Sequence, residues 1–156
     1  MKKYIVITGA SSGIGAAAAK AFARRGENLI IIARRAELLQ SLKDEIAQIA
    51  PESDVVIKIC DLACSENVLA LWDELKSHEL KALINSAGFG DYGAVGERDL
   101  SKVSQMLELN IISLTLLSHL FVHDYKHKPA QLINISSAGG YSMVPNAVTY
   151  CASKFF

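Results

Sequence analysis

The chain has 156 residues, enough for one domain with a sizeable core, and 51% of them are hydrophobic against 21% charged. Its 16 Lys and Arg balance 16 Asp and Glu, and the basic residues form no block, so neither nucleic acid nor an acidic membrane surface is an expected partner. Three cysteines, Cys60, Cys64 and Cys151, argue against a disulfide framework, and the C-x3-C of the first two lacks the further Cys or His of a metal site, so no metal is expected.

The start, MKKYIVITGA, enters an apolar run that Thr8 and Gly9 break within a few residues. That is too short for a signal-peptide core or a membrane span, and the expected location is the cytoplasm. Tyr4–Thr8 reads as the first strand. The Ala-rich stretch Gly13–Arg25 reads as a helix stopped by Gly26. Leu29–Ala33 is a second strand, followed by a helix over Ala36–Ala50 with Leu38, Leu39, Leu42, Ile46 and Ile49 at helical spacing, ended by Pro51. A third strand, Val55–Cys60, precedes a helix over Ser65–Ser77 whose inner face is Val68, Leu71, Trp72 and Leu75.

Ala82–Asn85 is a fourth strand. The irregular stretch Gly88–Arg98, with four glycines, suits a mobile loop. A long helix is predicted from about Asp99 to His127, with Val103, Met106, Leu107, Leu109, Ile112, Leu116 and Leu120 inward. Polar residues from Glu108 to His119 interrupt its apolar face, so it reads as a buried helix and not a membrane span. Leu132–Ile135 is a fifth strand, and a last helix begins near Ala147. The strands are apolar without alternation and separated by helices. That pattern predicts an α/β fold: one domain over 1–156, with a doubly wound parallel sheet and helices on both faces.

Between the first strand and first helix lies T-G-A-S-S-G-I-G, Thr8 to Gly15. A helix N-terminus presents unpaired N–H groups and a positive dipole end, so it attracts phosphate. Gly9, Gly13 and Gly15 permit a tight turn and close backbone approach, Ser11 and Ser12 add hydroxyls, and Ile14 opens the helix. A flexible β-α turn is the plainer alternative. The spacing T-G-x3-G-x-G resembles that of the short-chain dehydrogenase/reductase family, whose fold is a Rossmann-like doubly wound sheet.

An NAD site of this kind often has an acidic residue at the end of the second strand. Here Ala33 stands there, followed by Arg34 and Arg35, which can pair with a 2′-phosphate where a carboxylate would repel it. NADP(H) is therefore expected over NAD, although two arginines after a strand are also an ordinary solvated helix start. The resemblance implies that Asp61, in the pair Asp61–Leu62, holds the adenine amino group; a helix-capping aspartate is the alternative. It also places Asn85, Ala87 and Gly88 beside the cofactor ribose. Ser86 departs from the family's N-N-A-G, which puts in doubt the hydrogen bonds of that second asparagine to the neighbouring strand.

Tyr150 and Lys154 are spaced to share one helix face. Alone the pair is a weak signal. Ser137 lies 13 residues earlier in LINISSAGG and Asn110 lies in LELNIIS. These four match, in order and spacing, the family's catalytic Asn, Ser, Tyr and Lys. Tyrosine has an unperturbed pKa of about 10, and an adjacent ammonium favours the phenolate. Tyr150 can then act as acid in reduction or base in oxidation. Ser137 can steady the substrate oxygen, and Lys154 can hold the nicotinamide ribose. In the family the asparagine interrupts its helix and holds a water that contacts the lysine. His119, His123 and His127 repeat along the long helix but read as a solvated helix end. Phe89–Tyr92, Ala138, Tyr141, Met143 and Pro145 should line a largely apolar substrate pocket.

The resemblance implies an NADP-dependent oxidoreductase acting on a small carbonyl or alcohol, and homo-oligomers for full-length members. It also implies two further C-terminal strands that are absent here, so the expectation is a fragment or prematurely ended product. A non-catalytic nucleotide-binding module is the alternative; an epimerase or dehydratase on the same scaffold is a third reading.

Overall fold

In the computed structural model, which describes residues 2–156, the strands are β1 (Lys3–Thr8), β2 (Asn28–Ala33), β3 (Val55–Ile59), β4 (Glu79–Asn85) and β5 (Gln131–Asn134). They form a parallel sheet in the order β3-β2-β1-β4-β5. The helices are α1 (Gly13–Ala23), α2 (Ala36–Ile49), α3 (Ser65–Leu75), α4 (Leu100–Leu107), α5 (Leu114–Tyr125) and α6 (Val148–Phe155).

The strands lack alternation because both sheet faces are covered. Ile5, Ile7, Leu29 and Ile31 point to one face and pack with Ala19 and Ala23 of α1 and Leu39, Leu42 and Ile46 of α2. Tyr4, Val6, Ile30 and Ile32 point to the other, against Val68, Leu71, Trp72 and Leu75 of α3 and Leu117 and Phe121 of α5. Each fully buried aliphatic side chain contributes about 1.5–3 kcal/mol, so slipping a strand by one residue has little to gain on either face. On α2, of the five apolar residues at helical spacing, Leu38 and Ile49 lie on the exposed flanks and the buried stripe is the 39, 42, 46 row.

The long helix is interrupted. Asp99 caps α4, its side chain accepting from Ser101 N at 2.8 Å. Glu108–Ser113 then forms a π-helical turn before α5. A π turn holds an extra residue, which shifts the helix phase. The inward row is Met106, Asn110, Ser113, Leu117 and Phe121, while Ile112, expected inward, is 42% exposed. Leu109, Leu116 and Leu120 are half-buried against the same cluster. By length and composition alone, the 26 residues Leu100–Tyr125, of mean hydropathy 1.4, are long and apolar enough to cross a membrane. In the fold, this helix packs its inward row on α3 and the sheet.

The chain runs outward from β1 through β2 to β3, then crosses back to lay β4 on the other side of β1. The connections reverse between β1 and β4, and a crevice opens there at the strands' C-terminal ends.

Candidate active site

The glycine turn sits over that crevice. Gly9 adopts φ 67°, and a Cβ there would fall 2.7 Å from Ala87 Cα, so a side chain is excluded twice over. Thr8 explains the close approach. Its Oγ1 accepts from Ser86 N at 3.1 Å and Ala87 N at 3.0 Å and donates to Ile84 O at 3.4 Å, fastening the first βα turn to the end of β4.

A groove of about 500 Å³ runs across the crevice. Gly9, Ser11, Ser12, Gly13 and Ile14 form one wall, Arg34 and Arg35 one end, and Asp61, Leu62 and the backbone of Ala87 and Gly88 the opposite side. Ala33, Cys60, Ser86, Phe89 and Leu109 also line it. Gly15 and Asn85 lie outside the groove's lining: Gly15 is buried at the start of α1 and Asn85 at the end of β4. Arg35 bends towards the turn, its Nη2 donating to Ser11 Oγ at 2.9 Å and Ser12 Oγ at 3.1 Å. The groove therefore offers the N-terminal end of α1, two hydroxyls and two guanidinium groups together, which fits the phosphates of a dinucleotide.

Asp61 behaves locally as a turn residue, its Oδ1 accepting from Ala63 N at 3.1 Å. Burial pushes the neighbouring Cys60 thiol up to about 11, which keeps it protonated. The link to the neighbouring strand runs through Asn85 and not through residue 86. Asn85 Nδ2 donates to Asn134 Oδ1 of β5 at 2.9 Å and to Ser118 Oγ at 3.2 Å, so Ser86 leaves that connection intact.

Beyond Gly88 stand Asn110 and Lys154, and the Tyr150 ring lies at Gly90 and Gly139. The Asn110 amide is fully engaged. Its Oδ1 accepts from Phe89 N at 3.2 Å, and its Nδ2 donates to Phe89 O and to Ser153 Oγ, each at 2.9 Å. Ser153 in turn donates to Tyr150 O at 2.7 Å. The π turn is thus joined to both the loop after β4 and the helix that carries Tyr150 and Lys154. Ser153 and Thr8 are the site residues that spacing does not single out. The signal for each is its neighbour: one directly precedes Lys154, the other opens the T-G motif.

Ser137 Oγ accepts from Gly139 N at 3.1 Å, which leaves its hydroxyl proton free to donate. Lys154 is half-buried and donates to Ile135 O at 3.2 Å, and burial lowers its pKa from 10.5. Its Nζ lies 3.5 Å from where a Cβ on Gly88 would stand, so it borders the groove's end. The Tyr150 ring is held edge to edge between two backbones. A Cβ on Gly139 would stand 3.2 Å from its Cε1, and one on Gly90 would stand 3.3 Å from its Cδ2. Tyr92, whose ring centroid lies 6.1 Å from that of Tyr150, is exposed, as are Tyr141, Met143 and Pro145. Tyr150 and Ser137 each carry a hydroxyl able to donate, the chemistry that proton exchange with a carbonyl or alcohol requires.

The match to the short chain dehydrogenase family covers residues 3–156. Sulfoacetaldehyde reductase 2 of Chromohalobacter salexigens is 32% identical over 161 residues, covering 100% of this chain and 63% of that protein. Among solved structures, a bulky-bulky ketone specific alcohol dehydrogenase from Comamonas testosteroni superposes with a TM-score of 0.91 at 29% identity, over 99% of this chain and 62% of its own. A short-chain dehydrogenase from Sphingobium yanoikuyae in complex with NADPH gives 0.89 at 30% identity, over 99% and 60%. The chain spans between about half and three fifths of the length of the curated relatives it matches.

Proposed function

This chain belongs to the short-chain dehydrogenase family, and on that premise we propose that it serves a cytoplasmic NADP(H)-dependent oxidoreductase acting on a small carbonyl or alcohol. The observation that carries the reading is the junction at Gly88. There the dinucleotide-shaped groove ends against Asn110 and Lys154, on the network that also holds Tyr150. Bound NADPH supplies the hydride.

The chain's own residues do the rest. Ser11, Ser12, Gly13 and Ile14, at the head of α1, hold the phosphates, and Arg34 and Arg35 favour a 2′-phosphate. Asp61 and Leu62 border the adenine; Ala87, Gly88 and Lys154 border the nicotinamide ribose. Ser137 donates its free hydroxyl proton to the substrate oxygen as a hydrogen bond. Tyr150 delivers its Oη proton to that oxygen during reduction and takes it back during oxidation. Asn110 keeps the Tyr150 helix in register with the loop after β4. The apolar side chains around Tyr150 suit a neutral substrate, and the exposed Ile112 and Val122 on the long helix support self-association of the full-length protein.

Calorimetric titration with NADPH and with NADH, run beside a turnover assay on a panel of aldehydes and ketones, tests the reading. Tighter NADPH binding with NADPH-dependent alcohol formation is the expected result. NADPH binding without turnover across the panel would instead mark a nucleotide-binding module, and preference for NADH would remove the role of the two arginines.

A further inference from the structure

The segment between β4 and α4, residues 86–99, has no regular structure, yet it is not loose. Arg98 forks onto Asp91: Nε donates to Oδ2 at 2.8 Å, and Nη2 donates to Oδ1. The Asp91 side chain is only 13% exposed and that of Arg98 35%, so the pair is partly sunk into the fold. A two-point fork of this kind is specific to guanidinium. Arg98 also holds the Asp91 carboxyl below the usual aspartate range, with Lys102 adding to the effect, so the carboxylate is charged at neutral pH.

The fork closes an arch with two contacts outward. At its crown, Gly93 N donates to Asn146 O at 2.7 Å. Asn146 stands in the left-handed region, with φ 61°, at the approach to α6. The stem of Arg98 runs close beneath Gly93, its Cδ 2.4 Å from where a Cβ on that glycine would stand. At the arch's foot, Gly90 abuts the Tyr150 ring, and the Tyr92 and Tyr150 ring centroids lie 6.1 Å apart at 43°. The same pair of charges therefore governs the backbone beside the Tyr150 ring and the chain that leads into the Tyr150 helix.

We propose that Asp91 and Arg98 are positioning residues for Tyr150, their ion pair holding the 90–93 backbone against its ring and, through Gly93 and Asn146, the first turn of α6. The effect on turnover rests on Tyr150 being the proton donor, as argued above; the geometric claim does not.

The test uses the whole chain with D91N, R98Q, R98K and the reversed pair D91R/R98D. Amide hydrogen exchange is read at Gly93 and at Cys151, whose N–H bonds Ala147 O in the first turn of α6. NADPH affinity and kcat are measured in parallel. D91N and R98Q should each speed exchange at both amides roughly tenfold. R98K should recover only part of the protection, and the reversed pair most of it. Turnover should fall about tenfold in the single variants, through kcat and not through NADPH affinity, which stays within about twofold. Unchanged exchange at Gly93 and Cys151 in both single variants overturns the proposal. So does faster exchange throughout the chain with loss of NADPH binding, since that marks general unfolding. If the wild-type chain turns nothing over, the exchange result still decides this proposal, and the failure belongs to the proposed function alone.

Discussion

Asn110 and Ser153, 43 residues apart in sequence, are joined by a buried hydrogen bond of 2.9 Å from Nδ2 to Oγ. The bond crosses from a π-helical turn to the helix of Tyr150, and Ser153 passes it on to the Tyr150 carbonyl. Ser153→Ala strands a buried N–H of Asn110, a loss of about 1–3 kcal/mol. The expected outcome is a midpoint of thermal unfolding several degrees lower, with the Tyr150 helix exchanging its amides faster than the sheet. Equal destabilisation of every element would contradict this.

Arg35 bonds Ser11 and Ser12 at the turn. Arg35→Ala removes a cation from the expected 2′-phosphate position, and charge-assisted hydrogen bonds of about 1.5–3 kcal/mol imply roughly 10- to 100-fold weaker NADPH binding. NADH binding should stay nearly constant. Ala33→Asp should act in the same direction by repulsion. Calorimetry with both dinucleotides measures each effect.

Tyr150→Phe keeps the ring between Gly90 and Gly139 and removes only the hydroxyl. Turnover should drop about 10²- to 10⁴-fold with NADPH affinity unchanged. Lys154 carries a pH signature, because burial lowers its pKa below 10.5. The ammonium is lost at a lower pH than in an unfolded chain, so turnover that needs it should decline on the alkaline side before pH 10.5. Stability moves the opposite way. The unfolded chain binds the extra proton between the two pKa values, so Lys154's contribution rises with pH across that window. The difference between wild type and Lys154→Met in unfolding free energy against pH isolates it.

Trp72, the only tryptophan, donates from Nε1 to Asp124 Oδ2 at 3.0 Å. His123 and then Trp72 hold the Asp124 carboxyl below its ordinary 3.8. A lowered carboxylate contributes stability above the unfolded value and loses it as pH falls through the folded one. Trp72 emission should therefore stay constant through neutral pH and shift only below pH 3.8, and Asp124→Asn should abolish that step. A transition near neutrality would contradict the assignment.

Two residues five apart on the long helix lie on different faces. Leu117 is fully buried and Ile112 is exposed. Leu117→Ala should cost about 2–5 kcal/mol in chemical denaturation, and Ile112→Ala within about 0.5 kcal/mol. Equal losses at both would contradict the placement of Ile112 outside the buried row.

Strands and their order of appearance were legible because each is a short apolar run between helical stretches. Val6, Ile7 and Ile30–Ile32 need no partner to announce themselves. The glycine turn was equally local. Ile112 was misplaced because apolar content picked out the row it shares with Leu109, Leu116 and Leu120, which is only half-buried, while the polar Asn110 and Ser113 stand in the buried row. Gly88–Arg98 read as mobile because glycine content reports backbone freedom, while the Asp91–Arg98 fork spans seven residues of irregular chain that no periodicity pairs. The strand link assigned to residue 86 falls to Asn85 because β5 presents Asn134 to it.

Features that depend on neighbours along the chain are written in the residues alone: the parallel α/β architecture, the phosphate-attracting turn, and the Tyr150–Lys154 spacing. Hydrophobic burial on both faces and helix periodicity act over a few residues, so they can be read in order. The tertiary structure alone decided how distant groups meet. Thr8 fastens β1 to β4, Asn110 reaches Ser153, and Arg98 closes the arch beside Tyr150. Such bonds depend on the relative placement of elements, which is set only when the sheet has assembled and its helices have packed.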